Sequence, residues 1–261
     1  MVIRKRCLLW DYTNTRDTPQ SINQLDFASP SCPFSAVSNW NAWIPPELEG
    51  RLPFRPMVRT PAQLAGDEWA WLRDGAFPYD VVHFLNEPER QTPAVTPAAA
   101  ATLWRAQMVG VLRAAKGKKL VGPACASDDA GTAWLADFMG RLAPDERPDL
   151  LGLHWYGTEA EAARAYLMRM HEAYGLPVVV SEIACTDGDA RRVGRFTAEM
   201  ANWMDTTDWV VEYGFFGCMR QVADDFVSPA AQLMDEQGKF TPLMRRLVEE
   251  QPMEMTTLEI S

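Results

Sequence analysis

The sequence predicts an α/β protein, a single (β/α)8 barrel with short or irregular helices in its first half. Three observations predict it. Short apolar, β-branched runs alternate with stretches of helical apolar spacing, the pattern of repeated strand–helix units around a parallel sheet. Eight such runs can be counted. The chain has 261 residues, close to the about 250 at which eight units close into a barrel. With 47% hydrophobic and 23% charged residues, the composition suits one compact domain spanning 1–261.

The elements follow in order. The first run, 7–10, is Cys-Leu-Leu-Trp and stops at Asp11. From there to Pro56 the chain is rich in Pro, Ser and Asn with little helical period, so the loops are long and the helices short or missing. Within that stretch 36–40 reads as the second strand, and 56–59 follows as the third. The fourth, 81–85, is Val-Val-His-Phe-Leu. Thr96-Pro97 is a helix start signal and opens a helix over 96–115. The fifth strand, 119–123, precedes a helix over 131–142, and the sixth, 150–155, a helix over 159–174. The seventh, 177–181, is Pro-Val-Val-Val-Ser, with a helix over 189–204 behind it. The eighth spans 209–216, a last helix over 242–250 closes the barrel, and 251–261 reads as a surface tail.

Composition excludes several classes of function. A net charge of -10 argues against nucleic acid or an anionic membrane as partner, because phosphate binding needs clustered Lys and Arg. No apolar run approaches membrane-spanning length, and the basic Met1–Arg6 start is followed by too short an apolar stretch for a signal peptide, which leaves secretion open. The expectation is a monomer. Five cysteines are spread without CxxC or zinc-type spacing, so neither metal nor cofactor is expected. Buried free thiols are the default, with a Cys7–Cys32 bridge left open. Ten tryptophans are many for this length, and flat rings stack on the C–H faces of sugars as on other apolar surfaces.

A barrel of this kind carries its active site at the carboxyl ends of its strands. Asn86 and Glu87 end the fourth run, Glu182 the seventh, and His154 and Tyr156 the sixth, while Tyr213, Phe215 and Phe216 line the eighth. A charge at the end of a buried strand is costly unless paired or working. Two facing carboxylates are the minimum equipment for glycosidic bond cleavage, one as general acid and base, the other as nucleophile or water activator.

Asn86-Glu87-Pro88 after an apolar strand, with a second glutamate ending the seventh, resembles the clan A retaining glycoside hydrolases. His154-Trp155-Tyr156-Gly157, Ser181-Glu182-Ile183-Ala184 and the modest length are similar to glycoside hydrolase family 128, the small endo-β-1,3-glucanases. The Pro-rich segment 45–56 departs from that pattern. The resemblance implies an endo-acting enzyme on β-1,3-glucan polysaccharides or oligosaccharides such as laminarin, with Glu182 as nucleophile and Glu87 as acid/base. Alternatives are another clan A β-glycosidase, exo-acting or β-1,4-specific, and a non-catalytic carbohydrate-binding barrel. An α/β hydrolase fails for lack of a Gly-x-Ser-x-Gly elbow.

Glu87 must be protonated for the first step, so its pKa is expected above that of Glu182, with Phe84 and Leu85 as the source of desolvation. The clan assigns Asn86 a hydrogen bond to the sugar 2-hydroxyl. Tyr156 is expected to donate to Glu182, and His154 to orient a carboxylate or a sugar hydroxyl. The candidate sugar platforms are Trp10, Trp40, Trp43, Trp155, Tyr213 and Phe216. The acidic pairs Asp128-Asp129 and Asp224-Asp225 read as caps or solvated turns rather than cation sites.

Overall fold

The computed structural model describes residues 2–222 and 226–255. Asp224, Asp225 and positions 256–261 of the expected tail lie outside them. In order, the elements are β1 (Arg6–Leu9), α1 (Tyr12–Asp17), β2 (Phe34–Ser38), β3 (Met57–Val58), α2 (Asp67–Asp74), β4 (Val81–Phe84), α3 (Pro97–Leu103), β5 (Lys119–Val121), α4 (Asp129–Gly140), β6 (Leu151–Gly157), α5 (Ala160–Tyr174), β7 (Val178–Cys185), α6 (Ala190–Thr206), β8 (Val210–Phe215) and α7 (Pro242–Glu249). Helix α3 continues without a break as a π-wound stretch, Trp104–Arg113.

Every strand pair is parallel. Five strands pair in the order β2-β1-β8-β7-β6 and three as β3-β4-β5. Three single bridges join the groups, Val37 with Phe54, Val121 with Leu150 and Cys125 with Leu153, the first carried by Arg55 N–H on Val37 O at 2.8 Å and the second by Gly122 N–H on Leu150 O at 3.0 Å. The eight strands thus close in sequence order into an α/β barrel. Its strands are buried on both faces, which explains their near-continuous apolar runs.

The helices start where side chains take up free N–H groups. Thr96, Asp128, Asp189 and Thr241 each accept from the first turn of α3, α4, α6 and α7. Asp128, expected as a cap, accepts from Gly131 N–H at 2.8 Å. Gly131 itself has no substitute, since a Cβ there would lie 2.1 Å from Ala126 O. Helix α2 was not foreseen. Between β2 and β3 no helix forms at all, only the single turn Pro46–Leu48, so the flank of the barrel is covered there by loop.

Two sets of apolar residues hold the fold. The large one lies between the strands and the outer helices. The small one, Cys7, Leu9 and Ala36, lies apart from it, with Trp40 and Phe216 packed against it. Among the described residues all five cysteines are free and buried, so Cys7 and Cys32 are not bridged. In the described part of the tail Pro252, Glu254 and Met255 are exposed, while Met253 is buried at 2% exposure. Gln251 bonds Ile3 through both ends of its amide, which ties the segment to the chain's start. No helix of the described residues is long and apolar enough to cross a membrane.

Candidate active site

Past β4 the backbone turns sharply. Leu85 and Glu87 have φ of 51° and 40°, and Trp40, past β2, has φ 57°. These are the left-handed non-glycine residues among those described. Such conformations cost about 1–3 kcal/mol each and persist only where surrounding structure fixes them. Here Leu85 N–H bonds Val58 O at 2.7 Å and Glu87 N–H bonds Ala124 O at 2.8 Å, so β3 and the chain after β5 clamp the turn that aims Glu87.

Glu182 does not end its strand as expected; β7 continues to Cys185. Its pairing with β8 is irregular between Val180 and Ile183, and with β6 the register shifts at Leu153/His154 so that His154 stands opposite Glu182. A shift of this kind changes which face a strand residue occupies. Glu182 is 6% exposed, and its carboxylate accepts two hydrogen bonds with an imidazole nearby. Trp40 Nε1 donates to Oε1 at 2.6 Å, the Tyr156 hydroxyl donates to Oε2 at 2.6 Å, and His154 Nε2 lies 3.5 Å from Oε1. Trp40 is therefore an anchor of this carboxylate, a role the sequence did not assign it.

His154 also reaches the other carboxylate, with Nδ1 3.0 Å from Glu87 Oε1. One donor atom from each of Glu87, His154 and Glu182 lies within 4.8 Å of the other two. Burial opposes charge on His154, but the attraction of Glu182, Glu87 and Glu89 outweighs it and raises the imidazole pKa above the usual value. For Glu87 burial pushes upward, and the hydrogen bond and charge of His154, with Arg90, more than offset it, so the carboxyl lies below its usual range. The desolvation expected from Phe84 and Leu85 is thus outweighed by His154 and Arg90, and the Glu87 carboxyl is shifted down rather than up from its usual value. His83, on β4, is fully desolvated and lowered to about 3, hence neutral.

The three groups are close enough to ligate one divalent ion. Glu182, however, already receives N–H and O–H donors on both oxygens, an arrangement that stabilises an anion without a cation.

The two carboxylates open into a cavity of about 530 Å³, which Asn86, Trp40, Trp43, Tyr156 and Phe216 also line. The amide Oδ1 of Asn86 is buried without a protein partner. Phe216 packs edge-on against Trp40 at 5.6 Å and Tyr156 at 5.8 Å. Three expected platforms are elsewhere. Tyr213 is buried, and its hydroxyl donates to Asp205 Oδ1 at 2.7 Å and accepts from Arg6 Nε at 2.9 Å, on the helix side of β8. Trp155 packs at a tilt against Tyr166 of α5, ring centroids 5.5 Å apart, because strand alternation sends it opposite to His154 and Tyr156. Trp10 is buried and donates to Glu47.

Sequence reasoning missed Tyr12, Asn39, Arg59 and Phe226 at this cavity. Tyr12 and Phe226 are each 51% exposed, and Phe226 sets its ring 5.1 Å from that of Tyr156. Tyr12 and Arg59 stand at the ends of the first and third runs, where the strand-end rule that selected Glu87 applies equally. Phe226 lies in a loop with no periodic signal.

Residues 34–246 match the glycosyl hydrolase catalytic core family. A subgroup VI exo-β-1,3-glucanase of glycoside hydrolase family 128 from Aureobasidium namibiae is 47% identical, covers 97% of this chain and 99% of its own, and superposes with a TM-score of 0.91. A subgroup IV endo-β-1,3-glucanase of the same family from Lentinula edodes is 24% identical over 93% of this chain and 98% of its own, with a TM-score of 0.73, a likeness of fold. Among curated proteins, alkali-sensitive linkage protein 1 of Schizosaccharomyces pombe is 32% identical over 107 residues, 40% of this chain but 19% of that protein's length.

Proposed function

Since the chain belongs to the glycosyl hydrolase catalytic core family, and within it to glycoside hydrolase family 128, we propose that it is a retaining β-1,3-glucanase acting from a chain end. The observation that carries the mechanism is the closeness of Glu87, His154 and Glu182, with one donor atom of each inside 4.8 Å. Retaining enzymes keep their carboxyl groups about 5–5.5 Å apart, inverting ones about 6.5–9.5 Å, to leave room for water. The linkage and the chain-end mode rest on likeness to the Aureobasidium enzyme across nearly the whole chain. Chain-end attack is preferred on that ground to the internal attack read from the sequence.

In this reading Glu182, oriented by its hydrogen bonds from Trp40 and Tyr156, attacks the anomeric carbon while Glu87 protonates the departing oxygen. Water assisted by Glu87 then releases the sugar with its configuration retained. The proton required by Glu87 is stored on the His154–Glu87 pair. When a sugar displaces solvent, the neutral forms of both groups are favoured, and the proton moves from Nδ1 to the carboxyl. Asn86 offers its amide to the 2-hydroxyl, and Trp43, Phe216, Tyr12 and Phe226 face the sugar rings. A binding barrel without turnover has no use for two donors and a neighbouring imidazole gathered on one carboxylate.

The test is to incubate the protein with linear β-1,3-, β-1,4- and mixed-linkage glucans and follow product length. Glucose or one short product accumulating from the β-1,3 polymer without an early drop in its length supports the proposal. Rapid shortening of the polymer supports internal attack, and turnover of the β-1,4 polymer alone overturns the linkage.

A further inference from the structure

The flank of the barrel that lacks a helix between β2 and β3 is not flat. Two adjoining cavities of about 580 and 390 Å³ run along it, sharing Ile44, Glu49, Ala76 and Phe77. The smaller one is completed by Trp43, Glu68 and Trp71. Trp43 also lines the catalytic cleft, so its side chain is a wall common to cleft and flank.

We infer that this flank groove binds a further stretch of the β-glucan chain, away from the reacting bond, with Trp71 as its aromatic platform; the substrate class rests on the function proposed above. Among the described residues three large aromatic side chains are exposed, Tyr12, Phe226 and Trp71. The first two border the catalytic cleft. The third, 44% exposed, stands in the groove. Phe77 is held in place by Phe54 at 5.5 Å and Tyr79 at 5.7 Å, so the apolar floor is already ordered.

The chemistry selects a neutral polyhydroxylated ligand. Rings supply surfaces for the C–H faces of sugars, while Glu49 and Glu68 offer acceptors to hydroxyl groups. Asp80 joins them along the same wall. An anionic partner would meet three carboxylates there. Arg51, the cation of the wall, is already committed to Glu47 O and Asn23. The wall that groove and cleft share at Trp43 places the two side by side, which points to the polymer itself as the occupant, not a separate ligand.

The test measures retention on insoluble linear β-1,3-glucan in a Glu182→Gln background, where binding is read without turnover. Adding Trp71→Ala should weaken retention about fivefold, and Trp71→Tyr should restore most of it. In the active protein Trp71→Ala should lower kcat/KM on the insoluble polymer by a similar factor and leave a β-1,3-linked trisaccharide unaffected. Unchanged retention, or equal losses on polymer and trisaccharide, overturns the groove. Retention that depends on Trp71 but favours β-1,4-glucan overturns the assigned ligand. If the parent protein hydrolyses no trisaccharide while retention still depends on Trp71, the catalytic reading falls and the groove stands.

Discussion

The indole N–H of Trp40 donates to Oε1 of Glu182 at 2.6 Å, joining residues 142 positions apart. A left-handed backbone at Trp40 aims that donor. Hydrogen bonds to a charged group contribute about 1.5–3 kcal/mol, so Trp40→Phe, which keeps an aromatic ring but removes the N–H, should lower kcat about tenfold to a hundredfold with a smaller change in KM. Steady-state kinetics on a soluble β-1,3-oligosaccharide checks this. A rise in KM alone would return Trp40 to the platform role.

Glu87→Ala should slow natural glucans about a thousandfold, because the leaving oxygen then departs unprotonated. An activated aryl glycoside needs no proton and should lose far less in its first step. In the same variant azide should trap the glycosyl enzyme as a β-configured product. Equal losses on both substrates would remove Glu87 from the acid role.

The opposite shifts of His154 and Glu87 make the alkaline limb of kcat/KM a property of the pair. With the proton stored on a histidine raised above 6.5, the wild-type limb should lie above that pH. His154→Gln leaves a lone, partly buried carboxyl, and the limb should move to lower pH. Coincident profiles would show that His154 stores no proton. Linkage gives the stability counterpart: the contribution of His154 is complete below 6.5 and lost as pH rises through its raised value, and that of Glu87 is complete above 4.5 and lost as pH falls through its lowered value.

Tyr213 was expected to meet substrate and instead bridges Arg6 and Asp205. Tyr213→Phe should cost about 1–3 kcal/mol of stability and leave kcat and KM as they were. Thermal denaturation beside kinetics decides it, and a kinetic defect at unchanged Tm would place Tyr213 back at the cleft.

The barrel and its two carboxylates were legible because apolar strand runs ending in glutamate reflect burial, a local property of the chain. Side-chain direction was harder to read. Trp155 lies between His154 and Tyr156, so choosing its neighbours for the site already sent it outward. Tyr213 sits in a strand buried on both faces, where no polar alternation marks the interior side. Two features depend on approaches that composition does not encode: the Trp40–Glu182 bond and the position of Phe226. Helix α2 is short, and its apolar positions, Trp69 and Leu72, make less than two turns of pattern.

The central claim is double displacement by Glu182 with Glu87 as acid/base, and the anomeric configuration of the first product tests it most directly. Proton NMR recorded during the first minutes of hydrolysis of a β-1,3-gluco-oligosaccharide, before mutarotation, should show the β-anomer of the new reducing end appearing first and the α-anomer growing in later. An α-anomer formed first would mean inversion by direct water attack, and would contradict the account.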